Sequence, residues 1–383
     1  MEQKNRTLNI NEKVLSVIKA AFIENAEFPD MDGGDIKAIE MIAKKQSILS
    51  VVIYGIKKQK HDELLTESMK QFETRAIYDY VQRSNSLERI AEALARSEIP
   101  YIPLKGAFLR SFYPQPYMRS SSDIDILVHE TDLKKAIDAL VSHTDFQYCS
   151  REHHDVHFLS TRVHLELHFS LLTNLERIDQ VLKRAWDYSF PDKEQMKYQF
   201  SSEFQLFYNV AHSAKHFIKQ GGIGIRPLID LWLLRTQTEY DEQQIRMLCS
   251  EAGLVGFYEA CCNLLAVWFE NAPYTEMTRT LEDLVMSGGV FGSEHNRIVS
   301  LKRNNKQVGY LRSRIFKSRR ELNEDYPMSN KYPILLPVYQ VARWTHLFRR
   351  NKRKKAIGEW KHSRCLNQTE IEQYDWLLKS MGL

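Results

Sequence analysis

YIPLKGAFLRSFYPQPYMRSSSDIDILV, residues 101–128, reads as strand, glycine turn, helix, loop and strand. The second strand opens with Asp123 and Asp125, spaced i, i+2 between isoleucines. Along a strand that spacing puts both carboxylates on one face and Ile124, Ile126 and Val128 on the other. Two adjacent acids repel each other, and a divalent cation relieves them. Mg²⁺ commonly takes one or two carboxylates together with substrate phosphates. The plain alternative is a strand end carrying two solvated acids.

Working outward, YIPLK is a short apolar strand that Gly106 ends. Glycine there allows a sharp turn or close approach of the backbone to a phosphate. The helix AFLRSFY stops before Pro114, and residues 115–122 form a loop with Arg119 and three serines. Downstream, DLKKAIDALVSH predicts an amphipathic helix capped by Thr131. FQYCSRE, HDVHFLS and VHLELHF predict three more strands. In the last of these, His164, Glu166 and His168 alternate with Val163, Leu165 and Leu167, giving one polar and one apolar face. Residues 99–190 are therefore expected to form a small mixed-sheet α/β core.

Upstream, residues 1–98 read as helical. LNINEKVLSVIKAAF, IKAIEMIAKKQSILSVVIYGIKK and a long segment from Glu63 to Ser97 each carry an apolar stripe. Pro29 and the Gly33–Gly34 pair mark a loop between the first two. From Glu203 the chain returns to helix, with His212 and His216 at i, i+4, so residues 191–383 are expected to be mostly helical. The whole is an α+β chain of 383 residues, a small sheet core with helical regions before and after it.

The totals exclude several classes. Apolar residues make up 43% and charged residues 27%, as in ordinary globular proteins. The polar N-terminus lacks a signal-peptide core, and the near-apolar run Phe257 to Phe269 is too short to span a bilayer. Cys149, Cys249, Cys261, Cys262 and Cys365 have no metal-type spacing and read as free thiols, so a cytoplasmic location is expected. Net charge is +4, unevenly placed. Residues 302–364 hold 18 Lys and Arg against 4 Asp and Glu, a net +14 that leaves about −10 for the rest. That basic tail is either a solvated helix face or a surface for an anionic partner.

LKG, YP, RSSSDIDILV and VHLELHF together resemble the nucleotidyltransferase superfamily, most of all its uncharacterised bacterial branch. His212, Lys215, His216, Arg226 and Asp230 resemble that branch's H-x-x-K-H and downstream R…D. The tail YPILLPVYQVAR is similar too, so the resemblance extends over residues 80–345. It implies a nucleotidyltransferase core with Gly106 at the phosphate turn, the acidic pair at Asp123 and Asp125, and a third acid at Glu166. Three features depart from the superfamily pattern. Ala107 replaces the usual second small residue, the third acid is Glu rather than the commoner Asp, and 17 residues separate Gly106 from Asp123.

The resemblance implies a cytoplasmic enzyme that moves an NMP from an NTP to an acceptor, a small molecule, peptide or RNA, with Mg²⁺ or Mn²⁺ held by Asp123, Asp125 and Glu166. Two metals stabilise the attacking and leaving oxygens of such an in-line displacement. Glu166 could also act as general base. Lys105, Gly106, Arg119, Ser122, His212 and His216 are the candidate nucleotide-binding residues. Lys105 could instead point away as a strand-end lysine. His164, Glu166 and His168 are zinc-ligand types, but alternate positions nearly 7 Å apart on one strand make a three-ligand site awkward. His212 is not followed by Glu, so the zinc-protease motif is absent, and both helix histidines could be structural, with Arg226 and Asp230 as an ion pair. The alternative functions are related phosphoryl transfer, or a non-catalytic module that binds a nucleotide or polyanion.

Overall fold

The computed structural model describes residues 8–161, 163–193, 196–290 and 368–383, with Gly292, Asn296, Val299 and 337–341. The basic segment 302–364, apart from 337–341, and Cys365 lie outside the described residues.

The N-terminal helices follow their stripes and caps. Asn9 and Glu12 form a capping box on α1 (Ile10–Phe22), which buries Val14, Val17, Ile18 and Ala21. Asp32 and Asp35 do the same for α2 (Gly33–Lys45). The Gly33–Gly34 pair expected in a loop thus opens a helix, because Asp32 supplies the cap. The segment read as one helix after Ile36 is also two, since Ser47 takes a left-handed φ of 55° before α3 (Leu49–Lys58). Gly55 of α3 lies so close to α1 that a Cβ there would stand 2.4 Å from the Val17 carbonyl. The long α4 (Glu67–Arg96) is capped by Thr66 and ends beneath the sheet.

After β1 (Tyr101–Pro103), the short α5 (Lys105–Leu109), β2 (Asp123–Val128), α6 (Leu133–His143), β3 (Gln147–Arg151), β4 (Asp155–Leu159) and β5 (His164–His168) follow in sequence. The sheet order is β1-β2-β5-β4-β3, with β2 and β5 parallel and the other pairs antiparallel. All strands expected between 99 and 170 are present, and the architecture is α+β with helical flanks. Thr131 makes no cap. It lies in a 3-10 turn, Glu130–Asp132, that leads straight into α6, whose first turn has no side-chain hydrogen bond.

One face of the sheet is apolar. Ile124, Ile126 and Val128 of β2, Val156 and Phe158 of β4, and Leu165 and Leu167 of β5 are buried against Ile90 and Leu94 of α4 and Leu133, Ala136 and Leu140 of α6. Each such side chain contributes roughly 1.5–3 kcal/mol by leaving water. The other face carries the acids and histidines.

A larger core joins residues from both ends of the chain. Side chains of α1–α3 pack with those of α7 (Glu176–Leu182), α8 (Ser202–Gln220), α9 (Ile225–Gln237), α10 (Glu242–Ala252), α11 (Val255–Phe269), α12 (Glu276–Ser287) and the C-terminal α13 (Gln368–Ser380). The hairpin of β6 (Ser189–Pro191) and β7 (Tyr198–Phe200), not anticipated from the sequence, adjoins β1, where the Tyr101 amide donates to the Met196 carbonyl. Buried Gln46, between α2 and α3, donates to the carbonyls of Val285 and Gly288 and accepts from the amide of Ile225.

Candidate functional site

The parallel register of β2 and β5 sets Asp125 opposite Glu166 and Asp123 opposite His164. On the far side of β5, His157 of β4 stands opposite Glu166, and Asp155 opposite His168. Seven polar side chains from three strands thus share one face. Period-two alternation explains why each lies there.

Asp125 is the centre, only 1% exposed. Its Oδ1 accepts from Lys105 Nζ at 2.6 Å and lies 2.9 Å from His168 Nε2. Burial opposes its charge, but Lys105 and His168 outweigh burial and hold its carboxyl well below the usual range. Burial likewise opposes the Lys105 ammonium, and Asp125 reverses this and raises its pKa. Glu166 is the opposite case. Burial and the Asp125 carboxylate push its pKa up, so this acid holds a proton more readily than a solvated Glu. Asp125, Glu166 and His168 can each offer a ligand atom within 4.8 Å of the others. Asp123 stands outside this trio. Its Oδ1 accepts from Ser121 Oγ at 3.0 Å.

The strand before the turn ends at Pro103, and Gly106 is the second residue of α5. The left-handed residue at the turn is Lys105, with φ 42°. Gly106 is needed for another reason. A Cβ there would come within 2.8 Å of Ser121 Oγ and 2.9 Å of Arg119 Nη1, so the loop before β2 closes directly onto the turn. Lys105 does not point away as a strand-end lysine does; it reaches the acids.

Helices α8 and α9 roof the polar face. His212 and His216 meet at 3.0 Å between their Nε2 atoms. Burial, with the neighbouring lysines, keeps both neutral, His212 well below the usual histidine value and His216 lowered to about 4. Lys215, between them, is lowered by burial and by Lys105. Arg119 borders the open space, but its charge is already engaged. It makes a bidentate pair with Asp230, both contacts at 2.9 Å, and Tyr113 Oη donates to the same carboxylate at 2.8 Å. The bidentate partner of Asp230 is therefore Arg119, where the sequence pointed to Arg226. Arg226 instead donates to the Ser120 carbonyl.

These elements enclose a cavity of about 710 Å³, within the range of small-molecule sites. Lys105, Gly106, Arg119, Ser122, Asp123, Asp125, Glu166, His212 and His216 all line it, so the structure gathers every candidate residue in one place. It also adds residues the sequence reading missed. Lys44 comes from the last turn of α2, Ser47 from the break before α3, and Asn209 and Ser213 from α8. Asn209 lies one turn before His212 on the same face, a spacing that could have flagged it. The contribution of α2 and α3 had no local signal.

A mixed sheet with paired acids on one face, facing a cavity walled by cations, defines the nucleotidyltransferase class. The family described as uncharacterised nucleotidyltransferase matches residues 32–270, more than half of the chain, and the protein belongs to it. No curated protein and no solved structure matches the chain. Membership supports nucleotidyl transfer in general, hence a transferase with an NTP substrate. Members of this class generally use divalent metals, and the acidic groups such metals need are present. Among the described residues no helix is long and apolar enough to cross a membrane.

Proposed function

We propose that the protein is a divalent-metal-dependent nucleotidyltransferase that moves an NMP from an NTP to an acceptor and releases pyrophosphate. The carrying observation is the opposition of Asp125 and Glu166 across parallel strands, beneath a cavity whose walls present Lys44, Lys105, Lys215 and Arg226. A triphosphate needs such cations, and the acids need a cation of their own.

The residues fit a hard divalent ion. Glu166 is pushed up first by burial and then by the Asp125 carboxylate, and Asp125, Glu166 and His168 can offer ligand atoms within 4.8 Å of one another. Carboxylate oxygens suit Mg²⁺ or Mn²⁺. Asp123, Asp125 and Glu166 would hold it, and when bound it stabilises charge on the reacting phosphoryl oxygens. The protein supplies the rest. Lys105, Lys215 and Arg226 offset the phosphate charges. The acceptor's O–H or N–H heteroatom forms a bond to the α-phosphorus, and the bond to the bridging oxygen of the β-phosphate breaks with its electron pair leaving on pyrophosphate. Glu166, beside the reacting centre, is the candidate base for the acceptor proton. Ser121, against Gly106, brings a hydroxyl to the turn where Ala107 has none.

One observation favours a second reading. Lys105 Nζ already pairs with Asp125, a carboxylate that would be needed to hold a metal, as in a module that holds a nucleotide without turning it over. Calorimetric titration of each NTP with Mg²⁺ into wild type and the double variant Asp123→Ala/Asp125→Ala tests both. Metal-dependent binding that the double variant loses, together with pyrophosphate release and a product heavier by one NMP when acceptor pools are added, is the expected result. NTP binding that needs no metal and survives in the double variant overturns the catalytic reading and leaves the binding module. The basic 302–364 segment is proposed as the surface for an anionic partner, and salt-insensitive behaviour of any such complex would remove it.

A further inference from the structure

Beside the catalytic acids, on the same face, two histidines do something the proposed reaction does not use. His157 Nδ1 and His164 Nε2 face each other at 3.1 Å, with rings 16° from parallel. Each ring turns its outer nitrogen to a carboxylate. His157 Nε2 lies 3.2 Å from Asp155 Oδ1 and 3.6 Å from Glu152 Oε1, and His164 Nδ1 lies 3.8 Å from Glu166 Oε1.

The tautomers decide what this arrangement asks for. A neutral imidazole carries one N–H. If the inner nitrogens share an N–H···N bond, one outer nitrogen presents a lone pair toward its carboxylate, Asp155 at 3.2 Å or Glu166 at 3.8 Å. If both outer nitrogens carry their protons toward the carboxylates, two inner lone pairs oppose each other at 3.1 Å. A cation between them resolves the second arrangement. The edge of a tetrahedron with Zn–N bonds of roughly 2.0–2.1 Å is about 3.3 Å, close to the spacing present. Glu166 can place a ligand atom within 4.8 Å of atoms of both histidines. His157 Nε2 is buried without a well-formed hydrogen bond and faces Asp155 Oδ1 at 3.2 Å. A carboxylate behind a ligating imidazole is the usual outer support of such sites.

We propose that His157, His164 and Glu166 form a binding site for a d-block divalent ion of the zinc type, with Asp155 and Glu152 orienting His157. The site is built across β4 and β5, whose antiparallel register sets His157 opposite Glu166 and two pairs, one same-face position, away from His164. It avoids the difficulty of spacing three ligands along one strand. It differs from the proposed Mg²⁺ site in its two imidazole donors, which select a softer ion, and the two share only Glu166. The inference does not rest on nucleotidyl transfer and can fail without touching that reading.

The test is titration of chelator-stripped full-length protein with Co²⁺, followed by visible absorption, then competition with Zn²⁺ and with excess Mg²⁺. One equivalent of Co²⁺ with the intense bands of a tetrahedral site, displaced by Zn²⁺ and not by Mg²⁺, is expected. His157→Gln and His164→Gln, checked for fold by circular dichroism, each weaken binding by about a hundredfold or more, and Asp155→Asn by about tenfold. His153→Ala, at an exposed neighbouring histidine, leaves it unchanged. Absence of a tetrahedral spectrum in folded wild type overturns the site, as does unchanged binding in both Gln variants.

Discussion

The two faces of the five-stranded sheet are made by the same residues' neighbours and could hardly differ more. On one, Ile124, Ile126, Phe158, Leu165 and Leu167 are fully dry against α4 and α6. On the other, Asp123, Asp125, Glu166, His157, His164 and His168 stand together, and α8 borders the cavity over the three acids. The apolar face gains from every group it buries. The polar face brings acids together against their mutual repulsion and stays folded because Lys105 and His168 compensate Asp125. Strand alternation lets one element carry both tasks, so stability lies a single residue away from chemistry.

That contrast can be broken from either side. Phe158→Ala should cost the most stability, about 3–5 kcal/mol in chemical denaturation, with the polar face of the surviving folded fraction intact. Asp125→Ala strikes the other face. It should reduce nucleotidyl transfer by more than about a hundredfold, and stability by about 2–3 kcal/mol, because a mostly buried Lys105 ammonium loses its partner. Adding Lys105→Met to Asp125→Ala should restore most of the stability and none of the activity. If the single variant were as stable as wild type, the compensating role of the pair would be refuted.

Acid should loosen the roof of the polar face. His216 has a folded pKa of about 4, below the unfolded value near 6.5, so its contribution is complete above pH 6.5. As pH falls from 6.5 toward 4 the unfolded chain binds the proton first, and on the order of 2 kcal/mol is lost. Thermal melts over that range should show the loss, and His216→Gln should diminish it. The smallest stability effect is expected for Asp123→Asn, within about 0.5 kcal/mol, since Asn still accepts from Ser121, while transfer activity collapses. A large destabilisation there would show that Asp123 supports the fold rather than the reaction.

Local pattern carried much of this. DIDILV and VHLELHF alternate so strictly that their faces follow from the sequence, and with them Asp123, Asp125 and Glu166. What stayed hidden depends on pairing between distant segments. Nothing near Arg119 announces that its guanidinium is held by Asp230, 111 residues on. The opposition of His157 to Glu166 exists only once β4 and β5 are in register. The helix break at Ser47 and the place of Lys44 beside the cavity follow from tertiary packing, not from propensity. Thr131 has the residue type of a cap, but the 3-10 turn around it put the helix start beyond its reach.

Gln46 ties the first hundred residues to the last described loops of the helical region, through partners 179 to 242 positions away. During synthesis this has a plain consequence. When α1, α2 and α3 leave the ribosome, α8 to α12, the helices that complete their core, have not yet been translated, so these early helices wait with apolar stripes uncovered. Closing so long a loop comes late and costs chain entropy before any contact repays it. The sheet, made of neighbouring segments, can form in the meantime. Chain order therefore favours sheet before roof, and the cavity over Asp125 needs α8 and α9 in place.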